Sequence, residues 1–242
     1  MMVLAAAPLG LKTHVFCQSE DEPAAQFSRT ITIAPWQDHE ALRRFAEDTD
    51  VITFEFENIP VEALEHLKQF RPVRPDPRCL EVPQDRITEK TYFKRHGLAT
   101  TPWSAADTED EARAFLEREN LPYCFLKTTR LGYDGKGQWL WAPGRQPYPE
   151  TEHKLIAEAP VDFAGEISVI TVRNRAGEAR SYDPGQNIHN EGILRTTRVP
   201  APWPEDILIC AQEMAEKLAD ALDYIGILGV EFFVTQDRRL LV

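Results

Sequence analysis

The sequence predicts an α/β protein whose N-terminal part holds a parallel sheet. Two observations carry this. Residues 51–57 (VITFEFE) alternate apolar and polar positions, as a strand does, and a helical pattern with Leu64, Leu67 and Phe70 on one side follows at once. Such strand–helix alternation is what a parallel sheet with crossover helices requires. A third observation is size: 242 residues, 43% of them hydrophobic, bury a core without help from disulfides or metals.

The elements follow in order. Residues 1–7 read as a helix stopped by Pro8 and Gly10, and residues 12–17 as a short strand. Asp38 caps a helix carrying Ala41, Leu42 and Phe45 on one side. After the strand at 51–57, Asn58 and Pro60 open the next helix. Residues 71–83 hold four prolines and read as a linker. A helix over 84–96 ends at Gly97. Thr108 and Glu111 form a capping box for a helix that turns Ala112, Phe115 and Leu116 inward.

Strands are predicted over 123–128 and 138–141 with a glycine loop between them, and residues 144–149 read as a surface loop. Further strands cover 154–158 and 166–173. Pro204 opens a long helix with Ile207, Ala211, Met214, Leu218 and Leu222 as its apolar stripe. Residues 226–234 form a strand, 235–238 a turn, and 239–242 the start of a hairpin partner. The chain opens on a helix with no strand before it and stops inside a strand, so it reads as cut at both ends.

Charge and cysteine content narrow the function. Lys and Arg number 27 against 39 Asp and Glu, a net charge of −12. That argues against nucleic-acid binding, which needs a basic face, but not against a small phosphorylated ligand. No stretch approaches the ~20 apolar residues of a membrane span, and the mean hydropathy is −0.39. Cys17, Cys79, Cys124 and Cys210 form no Cys-x-x-Cys pair, so neither a zinc site nor a disulfide framework is expected. Cys124 and Cys210 lie in apolar patterns and read as buried. A reducing cytoplasm is the natural setting.

Several residues stand out chemically. Gly132, Gly135 and Gly137 let backbone N–H groups approach an anion, and Lys136 adds charge. An ordinary β-hairpin explains the same loop, because Asp134-Gly135 is a hairpin signal. Lys127 sits in an apolar strand, where a phosphate would be a suitable partner; an edge lysine facing water is the alternative. Glu231, in an apolar strand, reads as a cation ligand, a buried pair or a solvent-facing residue. Glu166 poses the same question. Glu55 and Glu57 share a strand face and suit a ligand cleft, or simply a polar outer face. His189 and Arg195 could meet anions. No Gly-x-Ser-x-Gly elbow is present, which argues against a serine hydrolase.

Together these stretches resemble the N5-carboxyaminoimidazole ribonucleotide synthase family of ATP-grasp enzymes. The matching segments are 4–10 (LAAAPLG), 52–60 (ITFEFENIP), 84–90 (QDRITEK), 126–138 (LKTTRLGYDGKGQ), 163–170 (FAGEISVI), 187–196 (NIHNEGILRT) and 224–235 (YIGILGVEFFVT). They run in family order along nearly the whole chain.

The resemblance implies an ATP-grasp fold preceded by a partial Rossmann-like parallel-sheet domain. Its boundaries would be 1–83 for that domain and linker, 84–162 for the small ATP-grasp subdomain, and 163–242 for the start of the C-terminal one. It implies MgATP-dependent carboxylation of 5-aminoimidazole ribonucleotide (AIR) with bicarbonate, in purine synthesis. Arg86 and Lys127 would contact ATP phosphates under the loop Gly132, Tyr133, Asp134, Gly135, Lys136, Gly137 and Gln138. Glu158, Ala159, Pro160 and Val161 would line adenine, mostly through backbone, and Glu166 would hold the ribose. His189 would lie near the phosphate end and, with Arg195, serve the chemistry. Glu231 would bind Mg2+, and Tyr133 and Asp134, with Glu55 or Glu57, would face AIR. A homodimer is the family's common state.

The family's opening glycine-rich turn and its second magnesium ligand are missing from this sequence. Little or no turnover is therefore expected of the chain alone. A formate-using ribonucleotide transformylase and an inactive nucleotide-binding fragment are the alternatives.

Overall fold

The computed structural model describes residues 1–132, 136–190 and 192–242. The chain forms two compact units, Met1–Leu80 and Glu81–Val242.

The first unit opens with α1 (Met2–Ala6), which runs into a 3-10 turn and buries no residue. Strands β1 (His14–Cys17) and β2 (Thr30–Ile33) pair in parallel. The helix predicted at Asp38 is α2 (His39–Glu47), capped as expected: Asp38 Oδ1 accepts the Ala41 N–H at 2.9 Å. Helix α3 (Val61–Lys68) follows, and α4 (Arg78–Glu81) lies within the stretch expected to be a linker. Leu42, Phe45, Ile52, Leu64, Leu67 and Val73 are among the residues of one apolar core.

The strand predicted over 51–57 is not there. Only Ile52 forms a β-bridge, with Val73 and in parallel. Its N–H donates to the Pro72 carbonyl at 2.9 Å and its carbonyl accepts the Arg74 N–H at 2.8 Å. Alternation says which side chains can face a core, but a ladder also needs a neighbouring backbone. Past Ile52 the alternation lacks that neighbour, and Glu55, Phe56 and Glu57 are all exposed.

The second unit holds two antiparallel sheets. The four-stranded one has the order β3 (Trp103–Ala105), β6 (Leu155–Glu158), β4 (Cys124–Thr128), β5 (Gln138–Trp141). Helix α6 (Glu109–Glu119) covers one face, and Phe115 and Leu116 pack with Cys124, Leu126, Trp141 and Ala157. Its capping box is complete, as the spacing predicted. Helix α5 (Arg86–Arg95) stands at the start of this unit.

The larger sheet has the order β10 (Ile193–Arg198), β9 (Gly185–Asn190), β7 (Phe163–Arg173), β11 (Gly226–Thr235), β12 (Leu240–Leu241), with β8 (Ala179–Ser181) also on β7. Helix α7 (Glu205–Ala221) packs on β7, β8 and β11. Buried Ile167, Val169, Val230 and Phe232 are the inward positions of this alternation. Gly165 is needed there, since a Cβ would sit 2.6 Å from the Trp203 ring.

The cysteine expectation fails at one position. Cys124 is buried, but Cys210 is exposed. It follows Ile209, also exposed, and precedes the inward Ala211, so it falls just outside the buried stripe of α7. Among the described residues no helix is long and apolar enough to cross a membrane.

Candidate functional site

The site is built on the face of the four-stranded sheet opposite α6. Local chemistry positions α5 first. Asp85 caps it, its Oδ1 accepting the Thr88 N–H at 3.0 Å and the Thr88 hydroxyl at 3.2 Å. The Arg86 N–H donates to the Thr129 carbonyl at 2.9 Å, tying the helix start to the end of β4. Arg86, Glu89 and Lys90 then fall at i, i+3 and i+4, on one side of the helix.

Strand register supplies the rest. Lys127 lies opposite Gln138 on β5, and Phe125 lies opposite Glu158 on β6, so Lys127, Gln138 and Glu158 share a face. Lys127 Nζ donates to Glu158 Oε2 at 2.9 Å, and Lys90 Nζ lies 3.6 Å from that same oxygen. Lys90 Nζ also donates to Thr100 Oγ1 at 2.8 Å. The side chains of Lys90 and Glu158 are only 9% and 7% exposed, so this ion cluster is largely dry.

Dryness splits the two carboxylates. Burial pushes Glu158 upward, yet Lys127 and Lys90 outweigh it and hold its carboxyl below the usual range. Burial wins at Glu89, which is pushed up to about 7 despite Arg86 and Lys90. Burial also draws the Lys90 ammonium downward, against the pull of Glu158. Carboxylates driven apart in this way are typical of functional sites.

The glycine loop closes on the same strands. β4 and β5 do form an antiparallel hairpin, and the loop joins them. The Thr128 N–H donates to the Gly137 carbonyl at 2.8 Å. Gly137 has φ +68°, and a Cβ there would lie 2.6 Å from Thr128 Oγ1. Gly132 also approaches Thr128, and Lys136 is exposed. Tyr133, Asp134 and Gly135 lie outside the described residues.

Glu166, His189 and Glu231 lie on the larger sheet. Glu231 pairs with Ser168 and Glu166 with Asn187, so both acids point away from the α7 face. His189 Nδ1 and Glu166 Oε2 are 2.7 Å apart, which joins two residues that the resemblance places at different parts of the nucleotide. Glu231 is exposed. Among the described residues no group of three His, Cys, Asp or Glu could hold a metal ion, so Glu231 offers a single carboxylate. Ala159 is buried, its N–H donating to the Pro102 carbonyl and its carbonyl accepting the Thr101 hydroxyl; Pro160 and Val161 are half-buried beyond it. Arg195 is exposed on β10, at a register shift between Leu194 and Thr196.

Two expectations change. Lys127 is not an edge lysine, because β4 lies between β6 and β5. Its close partner is Glu158, whose side chain, and not only its backbone, belongs to the site. Sequence reasoning also passed over Glu89 and Lys90. The signal was present: their spacing from Arg86 on a capped helix places all three on one side. Glu55 and Glu57 lie in the first unit, in an exposed segment that is not a strand.

Known proteins match this arrangement. The ATP-grasp domain family matches residues 91–242, and the ribonucleotide synthetase preATP-grasp domain family matches residues 1–84. The N5-carboxyaminoimidazole ribonucleotide synthase of Brucella melitensis is 40% identical, over 100% of this chain and 68% of its own length. The chain belongs to the N5-carboxyaminoimidazole ribonucleotide synthase family of ATP-grasp proteins. The Bacillus subtilis synthase is 38% identical, over 100% of this chain and 64% of its own. A crystal structure described as the ADP complex of such a synthetase superposes with a TM-score of 0.90 at 31% identity, covering 99% of this chain and 64% of that one. The chain thus spans about two thirds of the length of these relatives. An ATP-grasp domain with an N-terminal preATP-grasp domain is the architecture.

Proposed function

We propose that this protein acts as an ATP-dependent carbon–nitrogen ligase that carboxylates AIR with bicarbonate, giving N5-carboxyaminoimidazole ribonucleotide, ADP and phosphate. One observation carries the reading: Arg86, Lys90 and Lys127 converge with Glu89 and Glu158 beside the glycine-ended loop, three cations against two carboxylates. Such a cluster suits a polyphosphate, and the relative with bound ADP supports the same assignment. ATP supplies the phosphoryl group that activates bicarbonate, and Mg2+ offsets its charge.

The chain's own residues do the positioning. Arg86 and Lys127 bind the phosphates, and the backbone N–H groups of the loop 132–137 are assigned to the same groups. Gln138 borders Lys127 on the adjacent strand. Residues 158–161 line the adenine, and Glu166, held by His189, takes the ribose. His189 and Arg195 serve the reacting end, and Glu231 is the residue assigned to Mg2+. Glu55, Glu57, Tyr133 and Asp134 are assigned to AIR. We assign residues 1–83 to the partial Rossmann-like domain, 84–162 to the small ATP-grasp subdomain, and 163–242 to the start of the C-terminal one. Four free cysteines fit a cytoplasmic enzyme. A homodimer is the proposed assembly, checked by light scattering.

The test is ADP release with AIR and bicarbonate present together. Release that depends on both supports the reading. Release with formate in place of bicarbonate assigns the protein to a transformylase instead. Release without AIR but with another amine or acid overturns the substrate.

A further inference from the structure

Lys90 is a buried cation that the proposed chemistry does not use directly. Lys90 is 7% exposed, and its ammonium is held between Thr100 Oγ1 at 2.8 Å and Glu158 Oε2 at 3.6 Å. Lys127 binds that same carboxylate oxygen at 2.9 Å. The other oxygen, Glu158 Oε1, is buried and has no hydrogen-bond partner among the described residues. One carboxylate oxygen therefore serves two ammonium groups from opposite elements, helix α5 and strand β4.

We propose that Lys90 is a positioning residue: by sharing the Glu158 carboxylate, it keeps the Lys127 ammonium available to a nucleotide phosphate. This rests on the nucleotide reading of the site given above. A carboxylate paired one-to-one with Lys127 in a dry environment would neutralise it, and a phosphate would have to compete for the lysine. A second cation on the same oxygen weakens that hold and leaves the cluster with excess positive charge. Thr100 and Glu158 hold the buried Lys90 ammonium, so Lys90 acts through Glu158 and not by touching ligand. Burial draws Lys90 toward neutrality, Lys127 and Arg86 push the same way, and Glu158 first and Glu89 second pull it back.

The test separates phosphate recognition from folding. Binding of ADP and of adenosine to the full chain is measured by calorimetry, and the ratio of the two affinities isolates the phosphate contribution. Lys90→Met is expected to lower that ratio about tenfold, with adenosine binding changed less than about threefold. In a Glu158→Gln background the same substitution should change the ratio less than about twofold, because the residue it acts through is gone. Equal losses for ADP and adenosine, or an unchanged ratio, overturn the inference while leaving the nucleotide site standing. Full additivity in the double variant also overturns it. A wild-type chain that binds neither ligand overturns the nucleotide reading itself, and this inference with it. Should Lys90→Met fail to fold, Thr100→Val keeps the buried lysine and is expected to lower the ratio about two- to threefold; no change there overturns the inference as well.

Discussion

The two faces of the four-stranded sheet come from the same strands and have opposite chemistry. On the α6 side, Cys124, Leu126 and Ala157 alternate inward and meet Phe115, Leu116 and Trp141 in a dry apolar core. On the other side, Lys127 and Glu158 meet Lys90 in an ion cluster that is nearly as dry. The first face is held by dispersion and the hydrophobic effect, which need only shape and area. The second persists only while every charge keeps its partner, because an unpaired buried ion is costly. Burial therefore does not by itself mark an apolar core.

Substitutions can break this comparison from either side. The largest effect is expected at Phe115, which is 0% exposed: Phe115→Ala should cost about 4 kcal/mol in chemical denaturation. The apolar face should take this as a cavity, and the cost should stay the same from about pH 5 to about pH 9, since no titrating group is removed. Glu158→Gln on the opposite face should cost about 3 kcal/mol at pH 7, because two ammonium groups lose their counter-charge. That cost should shrink as pH falls, since the native advantage of Glu158 exists only when it is ionised. Its folded pKa lies below the ordinary value, so its stabilisation is present above the unfolded pKa of 4.5 and lost as pH falls through the folded one. A cost that is flat with pH would contradict the ionic account.

Glu89 should behave in the opposite sense. Its carboxyl is raised from 4.5 to about 7, so protonation favours the folded state. Its contribution is most favourable below 4.5 and is lost as pH rises through about 7. Glu89→Gln should therefore leave stability near wild type at pH 4 and raise it by about 2 kcal/mol at pH 8, seen as a pH-dependent gain in Tm. A variant less stable than wild type at pH 8 would show that Glu89 is needed as an anion. The smallest effect is expected at the α6 cap, where the Thr108 hydroxyl accepts the Glu111 N–H at 3.3 Å. Thr108→Ala should cost about 1 kcal/mol and leave the ion face untouched, so nucleotide binding should not change.

Much of the second unit was legible because its signals are local. The Thr108 capping box and the Pro204 helix start rest on contacts within a few residues of the chain, and the strands around 123–128 and 226–234 show their alternation within one segment although their ladder partners are distant. The glycine loop was visible too, and its hairpin reading is met: β4 and β5 pair, and Gly137 takes a left-handed turn. What failed was non-local. Residues 51–57 alternate as well as any strand in the chain, yet only Ile52 finds a ladder partner. Short β2 and β3 were passed over because three or four residues carry too little pattern. Cys210 was misplaced by one position on α7, which on a helix is a turn of about 100°.

By itself, the sequence determined the helix caps, the main alternations, the glycine turn and the residue types that a nucleotide phosphate needs. All are consequences of backbone sterics and of side chains within one turn or one strand. Only the tertiary structure decided that Glu158 lies against Lys127, that Lys90 shares the same oxygen, and that His189 holds Glu166. Those pairs are 31, 68 and 23 positions apart in the chain. Charge pairing acts over a few ångströms, and only folding brings such distant positions that close.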